Sequence, residues 1–248
     1  MLMNAKKRKE AFYLEILRCE IADFPSGDLI KCNESPDFLF RTPHDILGIE
    51  VRRIFQETKK RELPLQSQES ERRKIIQRAK QLCASLPPLA VSVHFSTYPS
   101  ITKKDQLLLC KKIVEIVRSH VQQKDAQIRI PNSTDSTELP DQVALIDILG
   151  LPESCNHIWS VPEAGFIQKD YVPDIQSVLN EKEQLLPKYL CKCDRCWLLV
   201  VSEGYAPSSL FEPSSETTQY LYESSFERVF YIDGFSKKVV ELKTETTA

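Results

Sequence analysis

Two carboxylates interrupt runs that otherwise read as strands. Asp37 follows Pro36 and opens "DFLFRT", and Glu50 stands between Ile49 and Val51 in "ILGIEVRRIF". If these runs form a hairpin with Pro43-His44 in the loop, Phe40 faces Leu47, Phe38 faces Ile49 and Asp37 faces Glu50. Phe38, Phe40, Leu47, Ile49 and Val51 then share one apolar face, as one buried side of a sheet requires. Directly opposed residues of an antiparallel pair have Cβ atoms about 5 Å apart, and like charges there are destabilising. A divalent cation between the carboxylates relieves the repulsion, and so does a proton on one of them. Gly48 leaves room over the sheet beside them. The alternative is two exposed acids on an ordinary solvated face.

The elements that must position this pair follow from periodicity. Residues 5–20 carry Phe12, Ile16 and Leu17 at helical spacing, and "DLIKCN" is a weak strand before Pro36. Residues 56–70 are polar and read as a loop. A helix is expected over 71–86, closed by Pro87-Pro88, then an alternating strand over 89–96 and a helix over 103–123. "PNSTDSTELPD" at 131–141 reads as a loop and an insertion site. In a helix over 174–189, Ile175, Val178, Leu185 and Tyr189 define an apolar face that also holds Lys182, and Pro187 truncates or kinks it. "CWLLVV" at 196–201 is apolar enough for the inside of a sheet. "SSFERVFYID" and "KKVVEL" are closing strands. Strands alternating with helices predict an α/β domain, a mixed sheet flanked by helices.

The totals narrow the function classes. The chain of 248 residues has only six glycines and neither a G-x-x-x-x-G-K nor a G-x-G-x-x-G stretch, which argues against nucleotide-binding loops. No apolar run approaches the roughly 18 residues of a membrane span, and the basic N-terminus has no signal-peptide core. A cytoplasmic protein is expected, with its eight cysteines mostly reduced. Residues 1–124 hold 23 Lys/Arg against 15 Asp/Glu, and the remainder 10 against 20. An anionic partner would meet the basic half, so DNA or RNA is the expected partner.

"PDFLF…ILGIEVRR" resembles the PD-(D/E)xK nuclease superfamily, in which a Pro-Asp opens one strand and Glu-x-Lys lies on the next. The match is Pro36-Asp37 and Glu50-Val51-Arg52. The resemblance implies a restriction-endonuclease-like fold over a single domain, 1–248. Its core would be 5–125 plus the helix and strand within 174–202; 126–173 and 203–248 would be additions. Helix 71–86 and strand 89–96 would complete an αβββαβ core.

The resemblance also implies a Mg²⁺-dependent nuclease, with Mn²⁺ as a substitute, in which Asp37 and Glu50 bind the metal. Arg52 departs from the motif lysine. It cannot serve as a base, because a guanidinium stays protonated, but it can hold a phosphate or a water. Families of this kind sometimes supply the lysine from a neighbouring helix, a role open to Lys182. A carboxylate from the first helix, Glu15 or Glu20, would join the site. Many such nucleases are homodimers. A second reading stays open: a non-catalytic nucleic-acid-binding or interaction protein on the same fold.

Other chemistry is less well supported. Cys191, Cys193 and Cys196 could bind zinc with Cys155 or His157, but no second paired Cys/His motif accompanies them, and loop or buried thiols are the plainer reading. His44, His94, His120 and His157 are scattered.

Overall fold

The computed structural model of the chain describes residues 4–32, 35–56, 63–121, 127–132, 139–163 and 167–246. They form two compact units, one from Met1–Gln56 with Gly165–Ala248, the other from Glu57–Ala164. The single-domain expectation put its core at 5–125, but helix 71–86, strand 89–96 and helix 103–123 all fall in the second unit.

The first unit begins with α1 (Ala5–Glu20), capped by the Asn4 side chain, which accepts from the Lys7 amide. Three strands follow: β1 (Asp28–Cys32), β2 (Phe38–Arg41) and β3 (Ile46–Arg53). The hairpin has the expected register, with Phe38 opposite Ile49 and Phe40 opposite Leu47.

The chain then builds the second unit: α2 (Leu65–Leu82), β4 (Leu89–Phe95), α3 (Gln106–His120), β5 (Gln127–Pro131), β6 (Val143–Gly150) and β7 (Ile158–Ser160). Its mixed sheet has the order β5-β6-β4-β7. Ile75, Ile76 and Ala79 of α2 and Ile113 and Val117 of α3 pack on Val91 and Val93. Helix α2 starts six residues before the expected 71. Its first turns bury Gln68 and Glu69 rather than apolar side chains, which hides the period. Gln68 is held by two bonds to the Ile101 backbone, one given and one accepted, at 2.9 and 2.7 Å. The loop expected over 131–141 lies largely outside the described residues.

Back in the first unit come α4 (Val172–Glu183), α5 (Leu186–Leu190), β8 (Arg195–Ser202), the short α6 (Ser215–Gln219), β9 (Leu221–Glu223), β10 (Arg228–Asp233) and β11 (Lys238–Glu245). The expected helix 174–189 is thus two helices, with Pro187 in the first turn of the second. The sheet order is β1-β2-β3-β8-β10-β11-β9. Strand β8 runs parallel to both β3 and β10 and is buried on both faces, which is why its sequence has no polar alternation. On one face α1 packs Tyr13, Leu14 and Leu17 against Phe38, Phe40, Ile49 and Trp197. On the other, Ile175, Leu179, Leu186 and Tyr189 pack against Leu39, Leu198 and Val200. The strand that joins β3 is β8, while strand 89–96, expected to complete the αβββαβ core, belongs to the second sheet.

The charge asymmetry between half-chains does not survive folding. Counted by unit, the first holds 18 Lys/Arg against 22 Asp/Glu and the second 15 against 13. Neither unit is strongly basic. Among the described residues no helix is long and apolar enough to cross a membrane.

Candidate active site

The two acids of the opening hairpin are both buried, Asp37 at 3% and Glu50 at 5% exposure. Asp37 lies just before β2 and bends back to β3: the Val51 N–H donates to its Oδ2 at 3.0 Å. The Lys7 ammonium, from the first turn of α1, donates to the other oxygen, Oδ1, at 2.8 Å. Lys7 also lies 2.9 Å from Glu10 Oε2 and 4.7 Å from the Phe38 ring centroid. Glu50 points toward α4, where the Lys182 ammonium donates to its Oε1 at 2.8 Å. Lys7, Glu10 and Asp37 thus form one group of ionisable side chains and Glu50 and Lys182 another, and the Asp37 charge acts on Glu50.

Their placement follows from local structure. Lys7, Glu10, Leu14 and Leu17 occupy successive turns on one stripe of α1, so the helix that packs on Phe38 and Ile49 also delivers an ammonium and a carboxylate. Lys182 lies on the α4 stripe with Ile175 and Leu179, and it is only 8% exposed. A lysine on such a stripe usually extends to water. Here Glu50 holds it inside.

Burial is the largest influence on Glu50 and pushes its pKa above the ordinary carboxylate value; the nearby Asp37 charge pushes the same way, while Lys182 pulls it back. Burial would lower the Lys7 ammonium, but its hydrogen bonds to Asp37 and Glu10 outweigh burial and hold its pKa above that of an ordinary lysine. Beside Glu50, the Tyr189 hydroxyl is pushed well up, first by burial and then by the Glu50 charge.

Arg52 takes a different place from the one its motif position suggests. It is 42% exposed and pairs with Glu181 at 2.7 Å, at the surface. Glu15 pairs with Arg18 and is exposed, as is Glu20, so neither first-helix acid expected at the site reaches it. Glu10 takes that position. Its spacing from Tyr13, Leu14 and Leu17 was the available signal, outweighed in the sequence by its neighbours Lys6–Lys9. The room expected over Gly48 is filled. A Cβ there would stand 2.6 Å from Cys193 Sγ and 3.0 Å from Pro36 Cγ.

Cys193 and Cys196 are buried, and Cys193 Sγ donates to the Tyr189 carbonyl at 3.2 Å. Its hydrogen bond with Cys196 lowers the Cys193 thiol, against the effect of burial. Cys191 is exposed. His157 lies in the second unit and accepts from the Leu89 amide at 3.2 Å. Among the described residues, no group of three or more His, Cys, Asp or Glu side chains is arranged to hold a metal ion.

The donors that bear on a divalent cation are Asp37 and Glu50. Glu50 Oε2 is buried and receives no short, well-aligned hydrogen bond, although the neighbouring Tyr189 hydroxyl is close enough to pull the Glu50 pKa down. A buried carboxylate oxygen left without a donor is costly unless a cation or proton answers it. Mg²⁺ is commonly held by one or two carboxylates, with waters and substrate phosphates completing its shell, so two protein donors fit it.

The chain is an α/β protein with two mixed sheets flanked by helices, and its two buried acids, Asp37 and Glu50, belong to the β2–β3 hairpin of the larger sheet. Comparison with protein-family models, with curated proteins and with solved structures finds no match for this chain.

Proposed function

We propose that this chain is a metal-dependent phosphodiesterase of the PD-(D/E)xK kind, acting on DNA or RNA with Mg²⁺ or Mn²⁺ at Asp37 and Glu50. One observation carries the reading. Lys182 Nζ lies 2.8 Å from Glu50 Oε1, with both side chains buried. A lysine from α4 thus supplies the ammonium that the motif position, occupied by Arg52, does not. The topology supports the same reading: α1, the β1-β2-β3 meander, then helices and β8 parallel to β3, give the αβββαβ order once the second unit is set aside as an insertion.

A divalent cation in such a site supplies an activated water and stabilises charge on the scissile phosphate. The chain's own groups prepare for it. The Val51 N–H and Lys7 fix the rotamer of Asp37. Lys182 fixes Glu50 through Oε1 and leaves Oε2 without a short, well-aligned bond. The Lys182 ammonium can hold a water or a phosphate oxygen as a compact point charge. Lys6 and Arg8, exposed in the first turns of α1 on either side of Lys7, suit a phosphate backbone. The reading rests on this geometry and not on the net charge of either unit.

The experiment is cleavage of plasmid, single-stranded DNA and RNA across a Mg²⁺ or Mn²⁺ titration, comparing wild type with Glu50→Gln. Metal-dependent cleavage by the wild type alone supports the assignment. Equal cleavage by both proteins, or none by the wild type on any substrate, contradicts it.

A further inference from the structure

Asp37 and Glu50 are not equivalent. Glu50 gives one oxygen to Lys182, while the other has only the Tyr189 hydroxyl nearby and no short, well-aligned bond. Asp37 has both oxygens engaged, Oδ2 by the Val51 N–H and Oδ1 by the Lys7 ammonium. The backbone bond is fixed by the hairpin, so only the Lys7 bond can be exchanged. Lys7 is itself only 12% exposed at its side chain, and Glu10, 2.9 Å away, offers it a second carboxylate. An ammonium that can stay paired with Glu10 while leaving Asp37 is suited to give way to another cation.

We propose that Lys7 is the resident counter-ion of this site: its ammonium holds Asp37 in the metal-free protein, and a divalent cation binds Asp37 in competition with it. Two cations on one buried carboxylate oxygen repel each other strongly, because little water screens them. Metal binding and the Lys7–Asp37 ion pair therefore oppose each other, a coupling that works equally in both directions. Lys7 is a positioning residue on this account. It keeps Asp37 in the metal-ready rotamer and sets the threshold of metal concentration at which the site fills. The inference rests on the proposed function in taking Asp37 as a metal ligand.

The test measures Mn²⁺ binding by calorimetry to the full chain as wild type, Lys7→Met, Lys7→Arg and Asp37→Asn. Removing the ammonium is expected to tighten binding by about 5- to 150-fold, the usual span of coupling between two ligands. Lys7→Arg, which keeps the charge, should stay near the wild-type affinity. A second measurement uses the unmodified protein and so does not depend on any variant folding. Amine-reactive labelling read by peptide mass spectrometry should modify Lys7 faster with Mn²⁺ than without, with the exposed Lys6 as internal reference.

If wild type and Lys7→Met bind equally while Asp37→Asn does not bind, the counter-ion inference is overturned and the metal site stands. If none of the proteins binds Mn²⁺, both are overturned. Lys7 labelling that is unchanged by Mn²⁺ bound at Asp37 also overturns the inference.

Discussion

Lys182 and Glu50 stand 132 positions apart in the chain, yet their side chains meet at 2.8 Å in a buried ion pair. The contact requires α4 to lie over β3, although the 108 residues of the second unit, Glu57–Ala164, separate them in the sequence. A buried pair of this kind is weak evidence for stability, since its desolvation cost can match its attraction.

Breaking the pair should be costly in a pH-dependent way. Lys182→Met leaves Glu50 buried without its cation, a change worth about 3–5 kcal/mol in comparable cases. The Glu50 carboxyl is already held above its ordinary value, so the native state binds more protons than the unfolded chain in the window between the two. Stability contributed there is present at low pH and lost as pH rises through the window. The variant, lacking the pull of Lys182, extends that window upward. Denaturant titrations at pH 5 and pH 8 should show a larger deficit for Lys182→Met at pH 8. A deficit independent of pH would mean that Glu50 does not take up the proton.

Arg52 and Lys182 should separate cleanly in function. Arg52 pairs with Glu181 at a site where both side chains are more than 40% exposed, and such surface pairs contribute about 0–1 kcal/mol. Arg52→Ala is therefore expected to fold with near wild-type stability and keep most cleavage activity. Lys182→Met should lower cleavage by about 100-fold or more, the scale of losing one charge-stabilising donor. Steady-state cleavage rates of the two variants check this; the reverse order would return the motif role to Arg52.

Gly48 should not tolerate a side chain. The added methyl of Gly48→Ala would meet Cys193 Sγ and Pro36 Cγ, and overpacking of this sort costs about 1–3 kcal/mol. Cys193→Ala opens the space, so the double variant should recover part of the loss. Thermal melts of the two single variants and the double variant measure the coupling; simple additivity would place the strain elsewhere.

Two first-helix acids give a sharp contrast. Glu10 is 7% exposed and partners Lys6 and Lys7, whereas Glu15 is solvated beside Arg18. Glu15→Ala is expected to change stability by about 0.5 kcal/mol or less, and Glu10→Ala by more, because the half-buried Lys7 loses a partner that is itself buried. Urea unfolding of both variants distinguishes them; equal effects would mean that Glu10 is not part of the buried cluster.

The sequence carried the hairpin clearly, because residue parity alone fixes which side chains face each other once Phe38, Phe40, Leu47 and Ile49 must share a buried side. Lys182 was legible for the same reason, as a charge on an apolar stripe. The first-helix contribution was not. Glu10 and Lys7 sit within a run of charged residues that reads as a solvated face, and only the packing of α1 on β2 and β3 shows which of them turn inward. The second unit was also hidden. Helix 71–86 and strand 89–96 have ordinary patterns, and nothing local in them shows that they join a different sheet from β3. The charge contrast between the half-chains is not a property of either unit, because folding joins residues 1–56 to the acidic end of the chain.

The central claim is that Asp37 and Glu50 hold a catalytic metal, and it is tested most directly by Asp37→Asn. Circular dichroism first establishes that the variant is folded, and cleavage of DNA and RNA is then followed in Mn²⁺ beside the wild type. The account predicts cleavage by the wild type, dependent on the metal and abolished by chelation, and none by the folded variant. Cleavage by Asp37→Asn at the wild-type rate, or a wild type that neither binds Mn²⁺ nor cuts any substrate, would contradict it.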